Sequence, residues 1–245
     1  MRRFFIENDT IRGDIVELPE SESRHISRVL RLKAGEAVEL LDGRGAVYSA
    51  VLIETGKRVR ARIALLRAEK AADSIRLTIG QGQLKGQKMD TVIQKCTELG
   101  VTRVAPFWSS RCQGKLNDLQ GAKKLERYQR IVEAACKQCY RSDLMTVDSP
   151  REFQELLAAF PAGEGRLRLL FWEEEREATL HTVAIAEAIR EVVVLLGPEG
   201  GLAADEVDRA RSEGWRTVSL GRRILRAETA TLTAASIVQF LLHNI

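Results

Sequence analysis

Histidine and cysteine are scarce, at three and four in 245 residues. His25, His181 and His243 are scattered and form neither an HxxxH pair nor a Ser/His/Asp arrangement, which speaks against a histidine-built metal centre or a histidine-dependent nucleophile. Four cysteines in a chain this long do not make a disulfide scaffold. Cys136 and Cys139 form a CxxC, but inside a helical pattern where positions three apart share a face, so they read as small buried hydrophobes. Cys96 and Cys112 stand alone, and no second pair has zinc spacing. No run of about 18 uncharged apolar residues exists, so no transmembrane helix is expected. The opening MRRFFIENDT reaches acidic residues too soon for a secretory signal. The expected compartment is the cytoplasm, with neither membrane nor metal as a partner. Repeats and low-complexity tracts are absent as well.

The chain also lacks a strong excess of one charge, with 38 Lys and Arg against 34 Asp and Glu for a net charge of +4. At 44% hydrophobic and 29% charged it has a globular composition rather than that of a disordered chain. The near-balance hides a basic stretch: Arg103 to Arg141 carries nine basic residues and three acids. A solvated cationic face is the ordinary reading of such a run, and a polyanion-binding surface is the functional one.

The periodicity changes near residue 73. Before it, Arg2–Ile6, Ala37–Leu41, Ala46–Ile53 and Val59–Leu66 read as short strands, with Asp42-Gly43-Arg44-Gly45 as a turn. Arg24–Leu32 reads as a short helix with Ile26, Val29 and Leu30 inward and Arg24, Arg28 and Arg31 on one face. Lys70–Ser74 reads as a linker. After it, short apolar runs (75–79, 101–107, 167–172, 192–196, 217–220) alternate with helical patterns, which predicts a parallel α/β sheet. Ser149-Pro150-Arg151-Glu152 resembles a helix start. The last helix, from about Thr229 to His243, is apolar on most sides and so belongs at a core or a subunit interface.

Gly80, Gly82 and Gly86 approximate a dinucleotide fingerprint, but the third glycine is one residue late and no acid ends the next strand to hold a ribose. Two C-terminal segments carry more. Val192–Leu196 is a strand buried on both faces, and it ends at Gly197-Pro198-Glu199-Gly200-Gly201-Leu202. Three glycines and a proline in five residues impose unusual dihedrals at the carboxyl end of a parallel strand, where open α/β sheets bind ligands. The loop has Glu where a phosphate cradle has Lys or Ser/Thr, which favours a ligand read by main-chain groups. The second segment is Leu220-Gly221-Arg222-Arg223-Ile224-Leu225-Arg226-Ala227-Glu228-Thr229. Here Ile224 and Leu225 can sandwich a planar ring, and the following helix, with Thr229 as its expected cap, offers free N–H groups.

GPEGGL after one strand and LGRRILRAETA after the next resemble the ribosomal RNA small subunit methyltransferase E family. Arg28–Leu32 with Gly35, Lys95–Val101, and Glu133-Ala134-Ala135 with Gln138 and Arg141 extend the resemblance along the chain. The resemblance implies an α/β protein with a PUA-like RNA-binding domain over 1–72, followed by a SPOUT methyltransferase domain with a trefoil knot over 73–245, working as a homodimer. It implies S-adenosyl-L-methionine as cofactor and N3 of a uridine in the 16S rRNA of the small ribosomal subunit as target. The cofactor loops would comprise Leu196, Gly197, Pro198, Glu199, Gly200 and Gly201, then Leu220, Gly221, Ile224, Leu225, Arg226 and Thr229. Ala203 stands where the family places a Ser/Thr cap, and the residues around Cys139–Met145 depart from its usual pattern.

Uracil N3 is protonated at neutral pH and nucleophilic only once the proton leaves. Arg226 is the expected stabiliser of the resulting negative charge, and Glu199 or Glu228 the proton acceptor. RNA capture falls to Arg24, His25, Arg28, Arg31 and Lys33, then Arg111, Lys115 and Arg141. The rival readings are a related enzyme methylating a ribose 2′-hydroxyl or another base, a non-catalytic RNA-binding assembly factor, and a nucleotide-dependent oxidoreductase built on Gly80–Gly86.

Overall fold

The structure, a computed structural model, describes residues 1–68, 75–112, 118–183 and 185–245. The expected linker, Lys70–Ser74, and Lys115 lie outside the described residues. The chain divides into two compact units, Met1–Ala72 with Cys136–Leu144, and Asp73–Ala135 with Met145–Ile245. The sequence reading assigned everything after residue 72 to one domain and did not anticipate the return of 136–144 to the first unit.

The first unit is a six-stranded sheet. Its strands are β1 (Arg2–Phe5), β2 (Ile11–Arg12), β3 (Ile15–Glu17), β4 (Ala37–Leu41), β5 (Val47–Glu54) and β6 (Arg60–Ala68), in the order β1-β4-β5-β6-β3-β2. Only the β1–β4 pair is parallel among these. Alternating positions such as Val38 and Leu40, Ala50 and Leu52 face a core shared with Phe4, Val16 and Ile26. The β4–β5 turn forms as expected, with Asp42 Oδ1 accepting the N–H groups of Arg44 (2.8 Å) and Ala46 (2.9 Å).

The segment expected as one regular helix is α1 (Glu20–Arg24) followed by wider π-type turns over His25–Leu30. The change of winding rotates the side chains off the 3.6-residue period. Ile26 is buried, but Val29, expected inward, is 69% exposed. Arg31 ends the segment in the left-handed region (φ 53°), which takes it off the face shared by Arg24 and Arg28.

The second unit holds a parallel sheet in the order β10-β8-β7-β12-β11-β13, with β9 paired to β8. In chain order its elements are β7 (Arg76–Gly82), α2 (Lys88–Glu98), β8 (Arg103–Trp108), α3 (Asp118–Cys139, whose last turn from Cys136 counts with the first unit), β9 (Thr146–Val147), β10 (Arg151–Glu152), α4 (Phe153–Ala159), β11 (Arg166–Phe171), β12 (Glu191–Leu196), α5 (Ala204–Ser212), β13 (Arg216–Val218) and α6 (Ala227–Leu241). Val192 to Leu196 are buried on both faces, as expected of a central parallel strand. In α2, Met89, Val92, Ile93 and Cys96 face inward at helical spacing. Gly100 (φ 77°) turns the chain after it, while Gln239 of α6 donates to the free Leu99 carbonyl (2.7 Å).

Three local expectations change. Arg151 and Glu152 pair with Phe107 and Trp108 of β8, so the chain stays extended past Pro150 and α4 starts at Phe153, with Glu155 Oε2 accepting the Glu152 N–H (3.1 Å). At α5, the Ala203 cap has no acceptor to offer, yet Glu206 Oε2 takes the Ala203 N–H (2.9 Å) and supplies half of a capping box. Helix α6 buries Thr231, Ala234, Ala235 and Val238 but leaves Ile237 38% and Phe240 68% exposed, so it is not covered all round in a single chain.

Candidate active site

The strand β12 leaves the sheet at Leu196 and runs at once into a crowded bend. A Cβ on Gly82 would lie 2.4 Å from Pro198 N and 2.8 Å from the Gly197 carbonyl carbon. A Cβ on Gly80 would lie 2.2 Å from Leu195 Cδ2. Gly80 and Gly82 of the fingerprint-like set therefore serve close passage of the 195–198 chain beside β7, whereas Gly86 (φ 58°) has nothing within 4 Å of where a Cβ would stand. Between them, the fully buried Gln81 donates Nε2–H to the carbonyls of Gly82 (3.0 Å) and Gly197 (3.1 Å), and its Oε1 accepts the Thr231 hydroxyl of α6. Gly201 (φ 69°) donates to the Pro198 carbonyl (3.0 Å), closing a turn, and Arg111 Nη1 donates to the Gly200 carbonyl (3.1 Å). The loop is held on every side, and Arg111, expected to meet RNA, is one of its fasteners.

The second bend is built differently. After β13, Ser219 Oγ accepts the Gly221 N–H (3.1 Å), and Gly221 sits at φ 108° with nothing within 4 Å of where a Cβ would stand. Ile224 is 86% exposed. Arg226, not Thr229, occupies the N-cap of α6 (φ −63°, ψ 148°), and its carbonyl accepts the Ala230 N–H (2.8 Å). Thr229 is the third residue of the helix. An extended backbone persists through Arg226, so the helix opens three residues before the position that side-chain chemistry favours.

The two bends line one cavity of about 210 Å³. Leu196, Gly197, Pro198, Glu199 and Gly201 come from the first, and Leu220, Gly221, Ile224 and Leu225 from the second. Gly200, Arg226, Glu228 and Thr229 are not on its wall. The sequence reading missed a third wall, Trp172, Glu173 and Arg176, which follows β11. The signal was present, because those residues also follow the carboxyl end of a parallel strand. This wall is strapped down by Glu175, whose carboxylate accepts the Thr217 hydroxyl (2.6 Å) and the N–H groups of Arg176, Glu177 and Ala178, and pairs with Arg211 (3.1 Å). The Thr217 hydroxyl first, then the Glu177 N–H, pull its pKa from 4.5 to about 2 against the opposing effect of burial.

Glu199 is drawn two ways. Burial works to raise its pKa, and the Lys85 N–H (3.1 Å) and Lys88 ammonium (3.1 Å) outweigh it, holding the carboxyl below its ordinary range. It is thus a fixed anion, tied to α2. Glu228 has a buried oxygen, Oε2, with no hydrogen-bond partner. Among the described residues no group of three or more His, Cys, Asp or Glu is placed to hold a metal, and no helix is long and apolar enough to cross a membrane.

In the first unit, Arg24 pairs with Glu20 (2.6 Å) on the surface, while Arg28, Arg31 and Lys33 are exposed. His25 is exposed with its ring edge-on to Phe4. Arg24 and Arg28 flank a groove with Lys57 and Arg58, two cations that sequence reasoning missed. Arg141 differs from the others: its side chain is only 10% exposed and its guanidinium binds Asp143 at 3.0 Å. It forms a partly buried ion pair within the 136–144 return.

Comparison with known proteins agrees with this geometry. A family model described as an RNA methyltransferase domain matches residues 71–239, and one described as an RNA methyltransferase PUA domain matches residues 18–64. The ribosomal RNA small subunit methyltransferase E of Bacillus subtilis is 31% identical, covering 98% of this chain and 96% of that one. The structure of the Neisseria gonorrhoeae protein of that name, bound to S-adenosylmethionine, superposes with a TM-score of 0.86 at 34% identity and covers 98% of each chain. A Legionella pneumophila methyltransferase in complex with the same cofactor gives 0.88 at 30% identity, again over 98% of each. With the family's loops converging on one cavity and its relatives matching from end to end, this chain belongs to the ribosomal RNA small subunit methyltransferase E family.

Proposed function

We propose that the protein is an S-adenosylmethionine-dependent rRNA methyltransferase that methylates N3 of a uridine in the 16S rRNA of the small ribosomal subunit. The observation that carries the cofactor assignment is the single cavity shared by two glycine-bearing bends. Its wall has apolar Leu196, Pro198 and Leu225, the glycine backbone of Gly197 and Gly201, and charges of both signs, Glu173 and Glu199 with Arg176, Arg222 and Arg223. That lining suits a nucleoside carrying a charged amino-acid tail: aliphatic side chains for the ring, close backbone for its edge, and carboxylates and guanidiniums for the ammonium and carboxylate of the tail. The bound sulfonium supplies an electrophilic methyl group.

The residues of this chain do the rest. The bends hold the reacting centre in one orientation and keep water from it. Arg226, at the head of α6 and exposed beside the cavity wall, stabilises the charge that spreads to the uracil oxygens as N3 loses its proton. Of the two acids, Glu228 is the better proton acceptor, because Glu199 accepts hydrogen bonds from Lys85 and Lys88 whereas Glu228 Oε2 accepts none and has Lys88 only at 3.8 Å. The target base must be unpaired or flipped out, since N3 is occupied in a base pair.

The division of labour follows the resemblance. The first unit, residues 1–72 with 136–144, is the RNA-binding domain using the exposed cations Arg24, Arg28, Arg31 and Lys33, and the rest of 73–245 is the knotted catalytic domain. The exposed Ile237 and Phe240 on α6 are suited to burial in a homodimer. The test is incubation with the cofactor and undermodified 16S rRNA or small subunits, followed by digestion and mass analysis. The expected product is 3-methyluridine. A 2′-O-methylated nucleoside or a different methylated base moves the chain to another activity, and cofactor binding without any product makes it an assembly factor.

A further inference from the structure

Outside the cavity, one cation touches both halves of the site. Lys88 is the first residue of α2, and its Nζ lies 3.1 Å from Glu199 Oε1 in the first bend and 3.8 Å from Glu228 Oε2 at the start of α6. The same Glu199 oxygen accepts the Lys85 N–H, and Glu228 Oε2 is buried with no hydrogen-bond partner. Two carboxylates from separate loops thus converge on one ammonium. Without it they repel each other, and the buried Oε2 of Glu228, whose side chain is 20% exposed, loses its ion pair with Lys88. A second link between these loops, the Gln81 bridge from Gly197 to Thr231, is neutral and fully buried. The Lys88 link is ionic and about 39% exposed, so it can be altered without opening the core.

We infer that Lys88 is a positioning residue that sets the gap between the two cofactor loops. It acts through Glu199 and Glu228 and touches neither cofactor nor base. The inference rests on the cofactor assignment above.

The test measures S-adenosylmethionine affinity by calorimetry and steady-state kinetics for the wild type, Lys88→Met, Lys88→Arg, Glu228→Gln and the Lys88→Met/Glu228→Gln double variant. Loss of a partly exposed cation with two partners is expected to weaken cofactor affinity about fivefold, raising the cofactor KM more than it lowers kcat. Lys88→Arg should recover most of the affinity. In the double variant the Lys88 effect should shrink, because one of the two carboxylates it serves is gone. Unchanged cofactor affinity in Lys88→Met overturns the inference, as does an effect of full size in the Glu228→Gln background. If the wild type itself binds no cofactor, the underlying assignment fails instead, and the two failures are distinguishable. Thermal melts identify any variant that has lost its fold, and Lys88→Gln then replaces Lys88→Met, with the same loss of cofactor affinity expected and unchanged affinity again overturning the inference.

Discussion

The two bends that make the cavity share a composition and little else. In 197–201 the chain is crowded: Pro198 passes within 2.4 Å of where a Cβ on Gly82 of β7 would stand, a Cβ on Gly201 (φ 69°) would lie 1.9 Å from Glu173 Oε1, and Gln81, Lys85, Lys88 and Arg111 fasten the loop from outside. In 219–226, glycine is needed because of a dihedral: Gly221 has φ 108° in open space, and Ile224 beside it is 86% exposed. The expectation is a rigid first wall against which the ligand is read and a more exposed, pliant second wall that adjusts to it.

The largest expected effect tests whether Arg226, where the second bend runs into α6, carries the chemistry. Arg226→Ala should lower turnover by about 10²–10³-fold, the range for removing one stabiliser of developing negative charge, with cofactor affinity changing by less than about threefold. Calorimetry beside single-turnover kinetics separates the two. Equal losses in both would mean that Arg226 merely shapes the cavity.

Next is the rigid wall. Gly82→Ala forces a methyl group into backbone that is itself pinned by Gln81, so relief requires moving the whole bend. Overpacking of this kind costs about 3 kcal/mol, or roughly 6–12 °C in the melting of the second unit. Melting within about 2 °C of wild type would show that the bend yields, and the contrast between the walls would disappear.

Some of this contrast was legible in the sequence. Val192–Leu196 announced a strand buried on both faces, and three glycines and a proline after it announced a special bend. Which neighbour made each glycine necessary was not legible, because Gly82 and Pro198 are 116 positions apart and only the sheet register joins them. The third wall was legible only in its place after the carboxyl end of a strand. Trp172, Glu173 and Arg176 carry no motif, and only parallel pairing of β11 with β12 and β13 brings them to the cavity. Local winding misled at Val29 and at Thr229, where π-type turns and an extended Arg226 override the helical period and the capping preference. Arg141 looked like a surface cation until the pair with Asp143 was seen.

A smaller effect sharpens the comparison through pH. The Glu175 strap joins the third wall to β13, the strand that leads into the pliant bend. Its folded-state pKa of about 2 lies below the ordinary 4.5, so its contribution is complete above pH 4.5 and disappears as the pH falls toward 2. Glu175→Gln should cost about 1–2 kcal/mol at pH 7, with screening included. Urea titrations of both proteins should converge between pH 4.5 and 2. A gap that persists to pH 2 would assign the loss to packing rather than to charge.

The smallest effect belongs to Gly221. An alanine there meets no atom within 4 Å, so its whole cost is the positive dihedral, about 1 kcal/mol, and the open loop can relax part of that away. Stability should scarcely move. Relaxation shifts Leu220 and the residues up to Leu225, which line the cavity, so cofactor affinity should fall a few-fold while melting stays within about 3 °C of wild type. Gly82→Ala should show the opposite balance, with a large loss of stability and, in whatever fraction remains folded, a bend forced out of register. Measuring melting and cofactor affinity for the two variants side by side places each wall on its own axis. If Gly221→Ala lowered the melting temperature as far as Gly82→Ala, the second bend would be as constrained as the first, and the site would be rigid on both sides.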